Sequence, residues 1–318
     1  KTLMKLSIVI PVYNSSSIIE KLTLDILEIS KNSSKINDIE LILVNDCSLD
    51  DTWLKISKIS EINKDKIIGI NLMKNYGQHN AIMAGLKIAK GDYVLLMDDD
   101  YQHPPKEILK ILNKISEGYD VCYTNYKNNA YSKFKLFGSW LNKKISNILI
   151  DKPKSIYLSS FKCFTKKVCK EIVKYDGPFV YIDGLIFDIT KNVTSVDVEH
   201  SERKEGKTNY NIFKLISLWL RVLTNFSIVP LRLATFVGFF MTFISFIIVI
   251  VIMFVKINNP EIAAGWASLS MLIVFFSGIQ LILIGLVGEY IGRSYIKLNK
   301  KPQFIVREYC NFSDQDEK

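Results

Sequence analysis

Histidine is scarce in this chain of 318 residues: His79, His103 and His200 are the only three, too few for a histidine-rich metal cage. The five cysteines (Cys47, Cys122, Cys163, Cys169 and Cys310) are odd in number, and no two stand as Cys-x-x-Cys. That excludes a zinc ribbon and a disulfide framework and reads as reduced thiols of a cytosolic domain. No Gly-x-x-x-x-Gly-Lys stretch occurs, so P-loop chemistry is excluded too. Internal repeats and low-complexity tracts are missing. The apolar run in Lys1–Val12 is too short for a signal peptide and leads into a strand pattern.

What the chain has in excess is apolar and basic residues. Hydrophobic types make up 48% of it against 23% charged, and its mean hydropathy is +0.15. Two stretches, Leu233–Val255 and Ile262–Gly288, carry no charge at all. Each exceeds the roughly 20 residues that cross a bilayer as a helix, and buried helices of soluble proteins rarely run so long uncharged. The link Lys256–Glu261 is short enough only for a hairpin, so the spans run antiparallel and both chain ends lie on one side. Arg221 and Arg232 precede the first span, and Arg293, Lys297, Lys300, Lys301 and Arg307 follow the second. The positive-inside rule then places both ends in the cytoplasm of a multi-pass inner-membrane protein. The net charge of +9, from 41 basic and 32 acidic residues, admits nucleic acid, anionic lipid or a phosphorylated substrate as partner. Its clustering beside the spans favours the lipid bilayer over nucleic acid.

The first 230 residues alternate strand and helix. Strand-like runs are Lys5–Val12, Ile39–Asn45, Ile67–Leu72, Tyr93–Met97 and Tyr119–Thr124. Helix-like runs between them are Ile18–Lys31, Asp51–Asn63, His79–Ala89 and Pro105–Glu117. This pattern predicts an α/β fold, a mainly parallel sheet covered by helices. Ligands of such sheets sit at the carboxyl ends of the strands. The residues expected there are Pro11-Val12-Tyr13-Asn14, Asn45-Asp46-Cys47-Ser48, Lys74-Asn75-Tyr76-Gly77 and Asp98-Asp99-Asp100. Three adjacent carboxylates repel one another, and a divalent cation, Mg²⁺ or Mn²⁺, is a common offset. Alternation along an extended chain points Asp98 and Asp100 the same way. A solvated acidic turn before Pro104-Pro105 is the plainer alternative.

In order along the chain, Val9-Ile10-Pro11-Val12-Tyr13-Asn14, Asn45-Asp46-Cys47-Ser48, Asn75-Tyr76-Gly77-Gln78 and Met97-Asp98-Asp99-Asp100-Tyr101-Gln102-His103 resemble family 2 glycosyltransferases of the GT-A (Rossmann-like) fold. Arg203-Lys204-Glu205-Gly206-Lys207-Thr208-Asn209-Tyr210 resembles that family's R-x-x-G-x-S-K-Y segment. Gly288-Glu289-Tyr290-Ile291-Gly292-Arg293 and Lys301-Pro302 continue the likeness beyond the spans. The whole set is similar to the polyprenyl-phosphate type: dolichyl-phosphate mannose synthases, bactoprenol glucosyltransferases and undecaprenyl-phosphate aminoarabinose transferases.

The resemblance implies a catalytic domain over 1–210, an interfacial amphipathic helix over 211–230, two transmembrane helices within 231–290 (about 233–255 and 263–288) and a cytoplasmic tail over 291–318. It implies that Pro11, Tyr13, Asn14, Asp46, Ser48, Asn75, Gln78 and Asp99 line the donor's nucleoside and phosphate site, with Asp46 accepting from the base. Asp98 and Asp100 would be the D-x-D pair holding the cation, Gln102 would sit beside the sugar, and Arg203 and Lys207 would meet phosphate. The alternative for Asp46 is a helix N-cap or Asx-turn. The implied donor is a nucleoside-diphosphate sugar with uridine as the expected nucleoside, and the acceptor is polyprenyl phosphate. Transfer would invert the anomeric carbon in a homo-oligomer, a tetramer by resemblance.

Departures from the family pattern are local. Lys207, Thr208 and Asn209 stand where Glu, Ser and Lys are usual, and Ser159-Ser160-Phe161-Lys162 stands for Gly-Asp-Phe-Arg, so no catalytic role is carried onto Ser160. Two segments, Tyr131–Ile145 and Asn211–Val229, mix aromatic residues with lysines or apolar ones as interfacial helices do. None of Trp53, Trp140, Trp219 and Trp266 follows an arginine, which argues against a processive synthase with its Gln-x-x-Arg-Trp motif. The D-x-D pair argues against an idle scaffold of the same fold.

Overall fold

The structure is a computed structural model that describes residues 4–31, 35–126, 153, 156–177, 180–199, 229–258, 265–299 and 301–312. Arg203, Lys207 and the segments Tyr131–Ile145 and 211–228 lie outside the described residues. The chain divides into two compact units, residues 1–209 with 300–318, and residues 210–299.

The first unit is built on a sheet. Its strands are β1 (Met4–Val12), β2 (Ile36–Asn45), β3 (Ile67–Leu72), β4 (Tyr93–Leu96), β5 (Val121–Tyr126), β6 (Lys162–Thr165), β7 (Val193–Val198) and β8 (Val306–Cys310). Their spatial order is β7-β5-β6-β4-β1-β2-β3-β8. The pairs β1–β2, β1–β4, β2–β3 and β5–β7 are parallel, whereas β6 runs antiparallel to β4 and β5, and β8 antiparallel to β3. Ile8, Val9 and Ile10 on β1 and Leu41, Ile42, Leu43 and Val44 on β2 are all buried. Burial on both faces is why these strands read as unbroken apolar runs.

The covering helices are α1 (Ile19–Lys31), α2 (Thr52–Ile62), α3 (Gln78–Ile88), α4 (Ile108–Ile115), α5 (Lys166–Ile172) and α6 (Ile182–Ile189). Helix α3 lies so close to the sheet that a Cβ on Gly85 would stand 2.4 Å from Val9 Cγ1. The start of α3 is tied to the residue after β2, where Gly77 N–H donates to Asp46 (2.9 Å).

The parallel core is the one the sequence pattern predicts, and the additions lie at its flanks. β6 begins with a lysine and spans four residues, too short for a periodic signal. β8 carries Arg307 and Glu308 on the sheet's edge, where charge is tolerated and discourages further pairing. It places part of the expected tail in the sheet. β5 is displaced two residues towards the C-terminus from its expected start. The helix expected over 105–117 opens as a 3₁₀ turn at Pro105–Glu107 and becomes α-helical only at Ile108. Pro104 and Pro105 lack the N–H that regular helix bonding uses.

The second unit consists, among the described residues, of two helices, α7 (Val229–Asn258, 30 residues) and α8 (Trp266–Leu298, 33 residues). Within α8, the 22-residue segment Phe275–Ile296 is long and apolar enough to cross a membrane, and α7 contains the uncharged run Leu233–Val255. Phe236, Phe239, Phe243 and Phe246 on α7 and Leu281, Ile282 and Ile284 on α8 are exposed. Apolar surface on that scale needs a non-aqueous neighbour.

Candidate active site

The carboxyl ends of β1, β2, β3 and β4 meet at one edge of the sheet, and side chains fix their loops to one another's backbone. Asn14 and Cys47 both adopt positive φ, 54° and 58°, turning the chain sharply as it leaves β1 and β2. The Asn14 amide donates to Ser48 Oγ (2.9 Å), and Leu49 donates back to Asn14 Oδ1 (2.9 Å). Ser48 in turn donates to Asn45 Oδ1. The buried Asn45 Nδ2 donates to Asn71 Oδ1 (2.8 Å), and Asn71 donates to Glu308 on β8 (2.9 Å).

Asp46 is buried, and both its oxygens accept backbone amides of the loop after β3: Tyr76 N–H at 2.7 Å and Gly77 N–H at 2.9 Å. Burial pushes its carboxyl above the usual range, and these two bonds counter the shift. Gly77 has φ of 86°, a conformation that glycine adopts without strain. Asp46 is therefore a loop brace and not a helix cap. At the start of α2 it is Asp50 that accepts from Thr52 N–H (3.1 Å).

The three consecutive aspartates diverge. Asp98 accepts from Gln78 Nε2 (2.7 Å) on Oδ1 and from the Ser160 hydroxyl (2.6 Å) on Oδ2. Asp99 turns inward and accepts from Tyr13 N–H (3.1 Å) and the Ser15 hydroxyl. Burial raises its carboxyl to about 6 against those two bonds, with Asp98 and Asp100 adding to the rise. Asp100 Oδ1 accepts from Gln102 N–H (3.1 Å). Two hard carboxylates two residues apart, backed by neutral donors, suit a small divalent cation that draws its remaining oxygens from a substrate diphosphate. Among the described residues no cluster of three or more His, Cys, Asp or Glu forms an all-protein metal cage. Asp98 lines the site's cavity and Asp100 does not; as hard oxygen donors both are of the type a divalent cation takes.

Asp98 opens onto a cavity of about 350 Å³, lined also by Gln78, Gln102, His103, Ser159 and Ser160. His79, Lys162, Tyr181 and Asp183 belong to the same lining. Behind Asp98 stands a chain of hydrogen bonds. His103 is buried, and its Nδ1 accepts from Asp98 N–H (3.2 Å), so its other nitrogen carries the proton and donates to Tyr126 Oη (2.9 Å). Tyr126 donates to Ser159 Oγ (2.7 Å), which pairs with Thr124 Oγ1 (2.7 Å), and Thr124 donates to Phe161 C=O (2.8 Å). The His103 ring also stacks on Phe161, with centroids 4.8 Å apart. This holds the D-x-D loop on β5 and β6.

Of the site residues expected from the sequence, Gln78, Asp98 and Gln102 line the cavity. Pro11, Tyr13, Asn14, Asp46, Ser48 and Asn75 lie in or beside the strand-end loops, and Asp99 faces inward. Ser160, His103, His79, Lys162, Tyr181 and Asp183 were not among them. Asp183 was detectable in principle, since it interrupts the apolar run Ile182–Ile189 and is buried there.

Comparison with known proteins agrees with this geometry. The family model described as glycosyl transferase family 2 matches residues 7–177, and that of the GtrB C-terminal hairpin matches residues 229–294. A Bacillus subtilis glycosyltransferase, YkcC, is 30% identical over 95% of this chain and 93% of its own length. The undecaprenyl-phosphate 4-deoxy-4-formamido-L-arabinose transferase of Photorhabdus laumondii is 32% identical over 96% of this chain and 94% of its own. Among solved structures, glucosyl-3-phosphoglycerate synthase of Mycobacterium tuberculosis, in complex with Mn²⁺ and UDP-glucose, superposes with a TM-score of 0.51 at 16% identity, covering 70% of this chain and 77% of that one. That likeness is one of fold.

Proposed function

The chain belongs to glycosyl transferase family 2, and we propose that it moves one sugar from a uridine-diphosphate donor to polyprenyl phosphate at the cytoplasmic face of a membrane. The observation that carries this reading is Asp98, held by Gln78 and Ser160 at the mouth of a cavity on the strand ends, in a chain that also matches the hairpin model. The names of the full-length relatives supply the acceptor class, undecaprenyl phosphate.

The acceptor chemistry suits the residues present. The second ionisation of a phosphate monoester lies near pH ~6, so its oxygen is already anionic at neutral pH and needs no general base. Asp98 and Asp100 would hold Mg²⁺ or Mn²⁺, whose Lewis acidity stabilises the departing nucleoside diphosphate. What the protein itself must do is orient the donor and bring two anions together. The braced loops of Asp46 and Asn14 fix the nucleoside edge, and Gln78 and Ser160 fix the orientation of Asp98. Arg203 and Lys207 are the cations proposed to meet phosphate. Direct attack inverts the anomeric carbon. The multi-pass topology with both termini cytoplasmic and a homo-oligomeric assembly belong to the same proposal.

The test is transfer of radiolabelled sugar from a panel of UDP-sugars to undecaprenyl phosphate by the purified full chain. Chelation of divalent cations abolishes transfer, and Asp98→Ala or Asp100→Ala lowers it by about a thousandfold, the equivalent of the several kcal/mol a Lewis acid contributes. No lipid-linked product with any donor, or variants within tenfold of wild type, overturns the reading.

A further inference from the structure

The cavity lining holds groups of unlike charge. Asp98, Gln78 and Gln102 form the edge where the diphosphate belongs. A second part of the lining is electrically balanced: Lys162 and Asp183 are both buried and paired to each other. Tyr123 O–H donates to Asp183 Oδ1 (3.0 Å), the same oxygen that takes the Lys162 ammonium, and the ammonium also lies 5.2 Å from the centre of the Tyr123 ring. Beside this pair stands His79, its ring edge-on to Tyr181 with centroids 5.3 Å apart. His79 Nδ1 is buried and has no hydrogen-bond partner among the described residues. Burial lowers its pKa to about 4, so at neutral pH the imidazole offers one donor and one acceptor and no charge.

We propose that His79, Tyr181 and the Lys162–Asp183 pair are the specificity-determining wall for the transferred sugar, reading an uncharged edge that presents a hydrogen-bond donor and acceptor side by side. An amide substituent and a vicinal diol share that chemistry. This rests on the reading of the chain as a sugar transferase. A wall with no net charge gives a phosphate nothing to bind, which separates it from the diphosphate edge and from the acceptor's anion. Buried polar groups that are completed only by the right ligand discriminate strongly, because the wrong one leaves them unpaired. The volume lies at the small end of ligand sites and accommodates a sugar ring.

The experiment measures binding of UDP, UDP-glucose, UDP-N-acetylglucosamine, UDP-xylose and UDP-4-deoxy-4-formamido-L-arabinose to the full chain in detergent with Mn²⁺, together with transfer to undecaprenyl phosphate. Wild type ranks these donors. His79→Phe and Asp183→Asn compress that ranking by about tenfold while Kd for UDP stays within about twofold, and His79→Gln, which restores a donor and an acceptor, recovers most of it. Preference for the amide-bearing sugars over glucose and xylose identifies an amide, and the reverse order a diol. Should Asp183→Asn fail to fold, His79→Phe against His79→Gln decides alone. An unchanged ranking in His79→Phe, or a parallel loss of UDP binding, overturns the inference. A wild type that ranks donors yet transfers none overturns the transferase reading and leaves the wall standing.

Discussion

At the ends of β1 to β4 the site is held by side chains that grip backbone. Asp46 takes two amides of the next loop, Asn14 and Ser48 join the loops after β1 and β2, and Asp99 takes the amide of Tyr13. Around Lys162 and His79 the grip is side chain to side chain: Lys162 with Asp183 and Asp183 with Tyr123. The two regions should fail differently. A backbone-gripping loop loses local order when its brace goes. A buried side-chain network that loses one member keeps another charged or polar group stranded without water, at a much larger cost.

The comparison is tested most severely at Lys162. Replacing it with methionine leaves the Asp183 carboxylate buried with only a tyrosine hydroxyl, and breaking a buried pair in this way costs about 3–5 kcal/mol. Lys162→Met together with Asp183→Leu removes both charges and recovers most of that loss. Denaturant unfolding of the single and double variants measures the difference. Equal losses in both would show that the wall is held by packing and not by the pair.

Next in size is an effect of pH at His79. Its folded pKa is lowered to about 4 from 6.5. Between these values the unfolded chain binds more protons than the folded one, so the contribution of His79 is fully present above pH 6.5 and is lost as pH falls towards 4. At about 1.4 kcal/mol per unit the whole swing is on the order of 3 kcal/mol. His79→Gln should flatten this part of the stability profile, read by unfolding at a series of pH values. Superimposable profiles would mean that water reaches the imidazole, and the two regions would then be less different than the coordinates show.

The same contrast explains how much of the molecule was legible in the sequence. The strand-end loops are consecutive residues at the ends of apolar runs, so a periodicity argument finds Asn14, Asp46, Asn75 and Asp98 together, whereas Gln78 comes from the family resemblance. The parallel core from β1 to β4 was legible for the same reason. The region around Lys162 and His79 draws on residues 79, 123, 162, 181 and 183, whose proximity depends on the antiparallel insertion of β6 between β4 and β5. Nothing periodic announces a four-residue strand beginning with lysine. β8 was hidden for another reason. Its partner β3 lies far away in the chain, so local pattern could not show that Ile305 C=O would accept from Met73 N–H (2.9 Å), or that Arg307 would reach Met73 C=O (3.2 Å).

The smallest expected effect belongs to the backbone-gripping side. Asp46→Ala frees the Tyr76 and Gly77 amides, but the space it opens can admit water, which satisfies them nearly as well. It also relieves the desolvation that raises the Asp46 carboxyl. The net loss should be about 1–2 kcal/mol, less than that of Lys162→Met. Asp46→Asn is the sharper probe. Its amide keeps one acceptor and turns an N–H₂ against the other backbone N–H, so it should be at least as damaging as alanine, although it is closer to aspartate in shape. Thermal unfolding orders the three proteins: wild type, then Asp46→Ala, then Asp46→Asn, separated by about 2–4 °C per kcal/mol in a domain of this size. Asparagine at wild-type stability would mean that one acceptor suffices to hold the loop, and the braced edge would then owe its shape to Gly77 and the turn itself.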